Sequence, residues 1–218
     1  MSDYRIEEVT EEQLAREREV QGGLAATTRE LIDAVLRSTV PDDEMIEVRK
    51  ELAAITERLR ASQIPSSHGV TINPEGGTSR NYGNAVVGMR NPIAPPLDIT
   101  WHEDGLVTTD FHLGAAYEGP PGLVHGGVSA LLLDQVAGEA AAAGHKAGMT
   151  GTLTLRYERP TPLGELHAEA KVNRVEGIKT IVVGHISDSE GPTVRCEGIF
   201  IMPRWARENG EGKPSIFE

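Results

Sequence analysis

One stretch limits what this chain can fold into more than any other: GLVHGGVSALLLDQVAGEAAAA, residues 122–143. From Val128 to Ala143 the run is too long for one strand, and it is rich in Ala and Leu, both strong helix formers. The apolar residues Val128, Ala130, Leu131, Leu132, Leu133, Val136, Ala137 and Ala140 fall all round such a helix. A helix that is apolar on every side has to be buried, so a sheet must wrap around it.

The flanking sequence supplies that sheet. GLVTTDFHLG places Val107, Phe111 and Leu113 on one face of a strand. After the helix, MTGTLTLRYERP sets Leu153, Leu155 and Tyr157 against Thr152, Thr154 and Arg156. ELHAEAKVNRV alternates through Leu166, Ala168, Ala170 and Val172, and KTIVVGHISD and TVRCEGIFIMP follow. The links PTPLG, VEGIK and SDSEGP are short turn sequences, which predicts a four-stranded antiparallel meander. The class is α+β. One central helix gripped by a curved antiparallel sheet is the geometry of the hotdog fold.

The remaining regions differ in character. Residues 1–62 hold 15 acids against 9 bases, half of a net charge of −12. Leu24, Leu31 and Val35 recur at helical spacing, and Met45, Val48, Leu52, Ile55 and Leu59 form a clear amphipathic stripe after Pro41. Ser38 to Asp43 reads as a stop, a turn and an acidic start, so an N-terminal helical hairpin is expected. Its stripe is expected to pack on the main domain; covering a ligand tunnel or joining subunits is the sharper alternative. Residues 63–104 form a loop-rich lead-in, with SQIPSSHGVTINPEGG and RNPIAPPLDI dominated by Gly, Pro, Ser and Asn. The core spans 105–206, and 207–218 is a polar tail.

Composition excludes several roles. With 33 acids against 21 Lys plus Arg, a broad nucleic-acid surface is not expected. Cys196 is the single cysteine, so it forms no internal disulfide, which suits a reducing, cytoplasmic compartment. The polar start MSDYRIEEVTEEQL reads as no signal peptide, and no run of about 18 apolar residues predicts a membrane span.

Asp134 is the anomaly in the greasy run. A buried carboxylate needs hydrogen-bond donors or a wet cleft. It is either a structural carboxylate or a general base or nucleophile in a pocket. Gly126 and Gly127 stand at the helix start, where N–H groups have no internal acceptor and carry partial positive charge. There a carbonyl oxygen could approach closely, as in an oxyanion hole. A simple loop ending is the plainer reading of the same glycines. Eight residues at about 1.5 Å rise put Gly126 about 12 Å from Asp134, too far for both to touch one acyl carbon. Two helices packed antiparallel across a two-fold axis would bring Gly126 of one against Asp134 of the other. The chemistry therefore predicts a dimer with two shared sites.

Over roughly residues 85–203 the chain resembles the hotdog-fold acyl-CoA thioesterases of the 4-hydroxybenzoyl-CoA thioesterase superfamily, PaaI-like branch. VHGGVSALLLD carries the likeness most specifically, with RYERPTPLGE, GPPGLVHGG and NPIAPPL beside it. The resemblance implies hydrolysis of a fatty or aromatic acyl-CoA thioester at a dimer interface, within lipid metabolism. It implies Asp134 as base or nucleophile, the Gly126 N–H as the carbonyl donor beside Gly127, His125 as the residue shaping the loop, and Thr150 as an aid to the attacking water. Relatives often place an Asn shortly before the HGG, where this chain reads YEGPPGLV; Asn91 is the substitute considered. Arg156, Arg159, Arg174 and Lys179 are candidates for the CoA phosphates. No separate cofactor and no metal are implied, coenzyme A being part of the substrate, and the assembly is a homodimer or a dimer of dimers.

Other readings are weaker. GGVSAL has Leu131 where a serine nucleophile elbow needs a second glycine, so Ser129 is no nucleophile. No histidine pair has metal-site spacing; His102, His112, His167 and His185 read as surface or edge residues. No HFPG-like motif of the hotdog dehydratases is present. A non-catalytic acyl-CoA binder, acting as sensor or scaffold, is the alternative from a different class.

Overall fold

The computed structural model describes residues 4–72, 79–144 and 148–203. The chain forms two compact units, Met1–Pro92 and Ile93–Glu218.

In the first unit, β1 (Tyr4–Ile6) precedes α1 (Glu11–Glu17), which starts at a capping box between Thr10 and Gln13. A π-helical turn, Arg18–Gly22, leads into α2 (Gly23–Arg37), and α3 (Asp42–Arg60) follows. Strands β2 (Val70–Ile72) and β3 (Ser79–Arg80) complete a small sheet in which β2 pairs parallel with β1 and antiparallel with β3. Pattern reading expects only loop at 63–100, because strands of two or three residues are too short to show a period. Arg80 is buried and paired with both Glu7 and Glu17, and the Tyr82 hydroxyl donates to Glu17 at 2.6 Å, which ties β3 to α1 and the residue after β1.

The stripe on α3 is not packed. Met45, Ile55 and Leu59 are exposed, and the helix buries no residue. Intrahelical pairs such as Lys50–Glu47 and Arg60–Glu57 support it instead.

The second unit holds a six-stranded antiparallel sheet in the order β4-β5-β7-β8-β9-β6. Its members are β4 (Thr100–Trp101), β5 (Val107–Leu113), β6 (Met149–Tyr157), β7 (Gly164–Glu176), β8 (Lys179–Asp188) and β9 (Gly191–Ile201). Helix α4 (Gly126–Ala143) crosses one face of it, against β7 and β8 above all. Leu132, Leu133, Val136, Ala137 and Ala140 are fully buried there, against Val107, Leu113, Ala168, Val182, Val194 and Phe200. This is the hotdog arrangement.

Two features differ from the expectation. The sheet covers one side of α4 only. Leu131 is 43% exposed, and Asp134, Gln135, Gly138 and Glu139 are half-buried on the same open side. Apolar residues all round show that a helix needs cover on both sides, but not that one chain provides it.

The meander also has three strands, not four. β6 pairs with β9, while β7 lies between β5 and β8. The link 158–163 must cross about three strand spacings, roughly 14 Å, and six extended residues reach about 20 Å. Pro160 and Pro162 hold it extended. Along its path Glu158 N–H donates to Thr193 O (2.9 Å), Val124 N–H donates to Thr161 O (2.9 Å) and Leu163 N–H donates to Gly122 O (3.1 Å). A short link thus need not be a hairpin when a curved sheet brings an edge strand within reach of an interior one.

Among the described residues, no helix is long and apolar enough to cross a membrane.

Candidate active site

His125 is the N-cap of α4, with extended backbone, and its Nδ1 accepts from the Gly127 N–H at 3.0 Å. That bond needs a lone pair on Nδ1, so the neutral ring carries its proton on Nε2. The His125 carbonyl accepts from Val128 (2.8 Å) and Ser129 (3.3 Å). Among the described residues the Gly126 N–H has no acceptor. Of the two glycines singled out, Gly127 therefore has its N–H engaged, and Gly126 presents the open donor.

The loop before the helix is held from several sides. His125 N–H donates to Tyr117 O (2.9 Å), Gly119 N–H to Leu123 O (2.9 Å), and Gly122, at φ +74°, donates to the Glu118 carboxylate at 2.7 Å. A side chain on Gly119 would meet the His125 Cα at 2.8 Å, so this crossing admits only glycine.

Two turns further along α4, Asp134 is half-buried and its Oδ1 accepts from the Thr150 hydroxyl at 2.8 Å. Strand parity alone would keep these two apart. Leu153, Leu155 and Tyr157 pair with Gly198, Cys196 and Val194 on the face toward α4. Counting back by twos from Leu153 would send Thr150 to the other face. The register shifts between Thr150 and Thr152, and Thr150 pairs with Phe200, a buried residue on the α4 side. Gly151 is the inserted residue of a β-bulge, and the bulge turns Thr150 inward.

Three groups here were missed by pattern reading. Tyr157, at the far end of β6, donates from its hydroxyl to Gly126 O at 2.7 Å. Cys196 is buried in β9; burial pushes its thiol up to about 11, and the nearby Asp134 charge adds to that while a backbone hydrogen bond at Gly184 opposes it. Glu139 lies on the open side of α4, where burial raises its pKa against the opposing 2.7 Å bond from the Gln135 amide. Only the Gln-x-x-x-Glu spacing on one helix face could have signalled the last.

The structure spreads the proposed CoA-phosphate ligands widely. Arg159 is committed to Asp188, donating at 2.7 Å to one carboxylate oxygen and also to the other, and this guanidinium holds the Asp188 carboxyl down at about 2. Arg174 is exposed and bonds Glu176 at 2.7 Å. Arg156 is exposed on β6, opposite Arg195. Lys179 starts β8 opposite Ile201, which also pairs with Met149, so it shares a sheet end with Thr150. Asn91 belongs to the first unit, and its amide donates to the carbonyls of Gly83 (3.2 Å) and Asn84 (3.3 Å).

The strand histidines sit beside carboxylates: His112 with Glu165 and His167 with Asp110, both at 2.8 Å. Among the described residues no three His, Cys, Asp or Glu side chains group to hold a metal ion.

The hotdog arrangement thus presents a helix start with an open N–H and, further along the helix's open side, an acid held by a hydroxyl on the edge strand. The Thioesterase superfamily profile matches residues 121–195. A thioesterase superfamily protein of known crystal structure is 37% identical to this chain with a TM-score of 0.76, over 84% of this chain and 90% of that one. The chain belongs to the thioesterase superfamily. Acyl-coenzyme A thioesterase THEM4 of Xenopus laevis is 34% identical over 88 residues, 40% of this chain and 40% of that protein, so the chain spans well under two thirds of that relative. E. coli PaaI is 19% identical, with a TM-score of 0.47 over 50% of this chain and 80% of that one.

Proposed function

We propose that the protein is an acyl-CoA thioesterase, hydrolysing a fatty or aromatic acyl-CoA to the free acid and CoA at two sites shared between the subunits of a homodimer. The observation that carries this is the pairing of an unengaged Gly126 N–H with a half-buried, hydroxyl-held Asp134 on one helix, about 12 Å apart by helical rise. That separation leaves each chain with half of two sites. The open side of α4, with Leu131 exposed, and the outer edge of β6, which pairs with no further strand among the described residues, support a second copy as the missing cover.

The acyl carbonyl oxygen accepts from the Gly126 N–H, which faces negative charge as it develops. Asp134 of the other subunit takes a proton from water as it adds to the carbonyl carbon, or attacks that carbon itself to give an anhydride that water then opens. In both routes the C–S bond breaks. The thiolate leaves without a strong acid, because a thiol has a pKa of about 8.5. Thr150 holds Asp134 through Oδ1 and leaves Oδ2 for the chemistry. With Arg159 and Arg174 engaged by carboxylates, Lys179 and Arg156 are the better placed of the four cations for CoA phosphates.

The test is release of free thiol from a panel of acyl-CoAs, with Asp134→Asn as control and the oligomeric state measured alongside. Turnover by the wild type and a loss of about a thousandfold or more in Asp134→Asn is the expected result. Unchanged turnover in the variant, or full activity in a strict monomer, overturns the reading. Binding of acyl-CoA with no thiol release would instead favour the sensor or scaffold.

A further inference from the structure

We infer that Tyr157 is a positioning residue for the carbonyl donor, locking the Gly126 N–H in place from the edge strand; this rests on the acyl-CoA reading above. Gly126 is the residue least able to hold its own dihedrals, yet its N–H has to point at one spot. The peptide before its Cα is held by the His125 carbonyl, which accepts from Val128 and Ser129. The peptide after its Cα is held at both ends: the carbonyl of Gly126 accepts from Tyr157 at 2.7 Å, and the N–H of Gly127 donates to His125 Nδ1 at 3.0 Å. With both flanking planes fixed, the Gly126 N–H has one direction left to it.

The tyrosine ring also explains the glycine. A Cβ at Gly126 would meet ring atoms and the hydroxyl oxygen of Tyr157 at 3.3–3.4 Å, so a side chain there would make the ring give by a few tenths of an ångström at the point where its hydroxyl meets the carbonyl. Tyr157 is 54% exposed, more than a ring serving only the core would be. It shares β6 with Thr150, which holds Asp134. One strand thus sets both the acid and the donor that each chain contributes.

The experiment is Tyr157→Phe, which keeps the ring and removes the hydroxyl. A donor loosened by a fraction of an ångström lowers kcat by about ten- to a hundredfold while KM rises by no more than about tenfold. The melting temperature and the oligomeric state stay as in the wild type. Binding is measured with two CoA derivatives: a ketone, in which a methylene replaces the thioester sulfur, and a thioether with no carbonyl. The ketone weakens by about tenfold in the variant, and the thioether stays within about twofold. A kcat within about twofold of wild type overturns the role, as does equal weakening of both derivatives. If the wild type hydrolyses no acyl-CoA, the thioesterase reading fails, and the ketone and thioether still decide the role of Tyr157. A wild type that does not prefer the ketone removes the donor and with it the inference.

Discussion

Helices α3 and α4 are built on opposite plans. α3 carries a regular apolar stripe over 19 residues and buries nothing. α4 is apolar nearly all round over 18 residues and buries seven of them. The contrast separates two things that hydrophobic pattern is often asked to give together. Periodicity tells which face of a helix can be covered. Apolar content tells how much must be. Only α4 had no stable existence in water without a sheet on it, and so only its place in the fold was dictated.

The contrast can be broken most directly by truncation. Leu133→Ala in α4 is expected to cost about 2–5 kcal/mol in denaturant unfolding, a large part of a typical total of 5–15. Ile55→Ala in α3, 46% exposed, is expected to stay within about 0.5 kcal/mol. Equal losses would mean that α3 is covered in solution. A smaller effect is expected from Gly151→Ala. A Cβ there would meet Ile201 Cδ1 at 2.6 Å, so the Ile201 side chain has to shift on the strand that pairs with Met149 and Thr150, which loosens the hold of Thr150 on Asp134. Thiol release should fall by about tenfold, with the unfolding free energy changed by only about 1 kcal/mol.

The smallest effects concern charge. The Asp188 carboxyl is depressed from 3.8 to about 2 by Arg159. Its contribution to stability is therefore fully present above about pH 4 and is lost as pH falls toward about 2. Melting temperature followed across that window should fall less steeply in Asp188→Asn than in the wild type. Lys50→Ala, which removes an exposed pair on α3, should change stability by about 0–0.5 kcal/mol at any of these pH values.

What could be read from the chain follows the same division. The run 126–143 and the alternations at 107–113 and 164–201 were legible because each is long enough to repeat its period several times. Asp134 was legible because a charge in an apolar run needs a reason. The position of β6 was not, since partner choice depends on sheet curvature and not on the sequence of the link. The sheet joining Tyr4–Ile6 to Val70–Ile72 was not, since it pairs short segments far apart in the chain. Arg159 looked available for a phosphate because its carboxylate partner lies 29 residues away, beyond two turns. The alternation sets Tyr157 on a strand face, but its bond to Gly126 depends on where the helix start lies over that strand.

The extra residue in β6 works as a change of parity. Sides of a strand are assigned by odd and even count, and one inserted glycine exchanges them for everything on one side of it. A polar residue upstream is thereby enrolled with the apolar set downstream, at no cost to either segment's own pattern. Loss of one residue at that spot would turn Thr150 away from Asp134 and exchange the face of Met149 with it, while Thr152 to Tyr157 kept their register with β9.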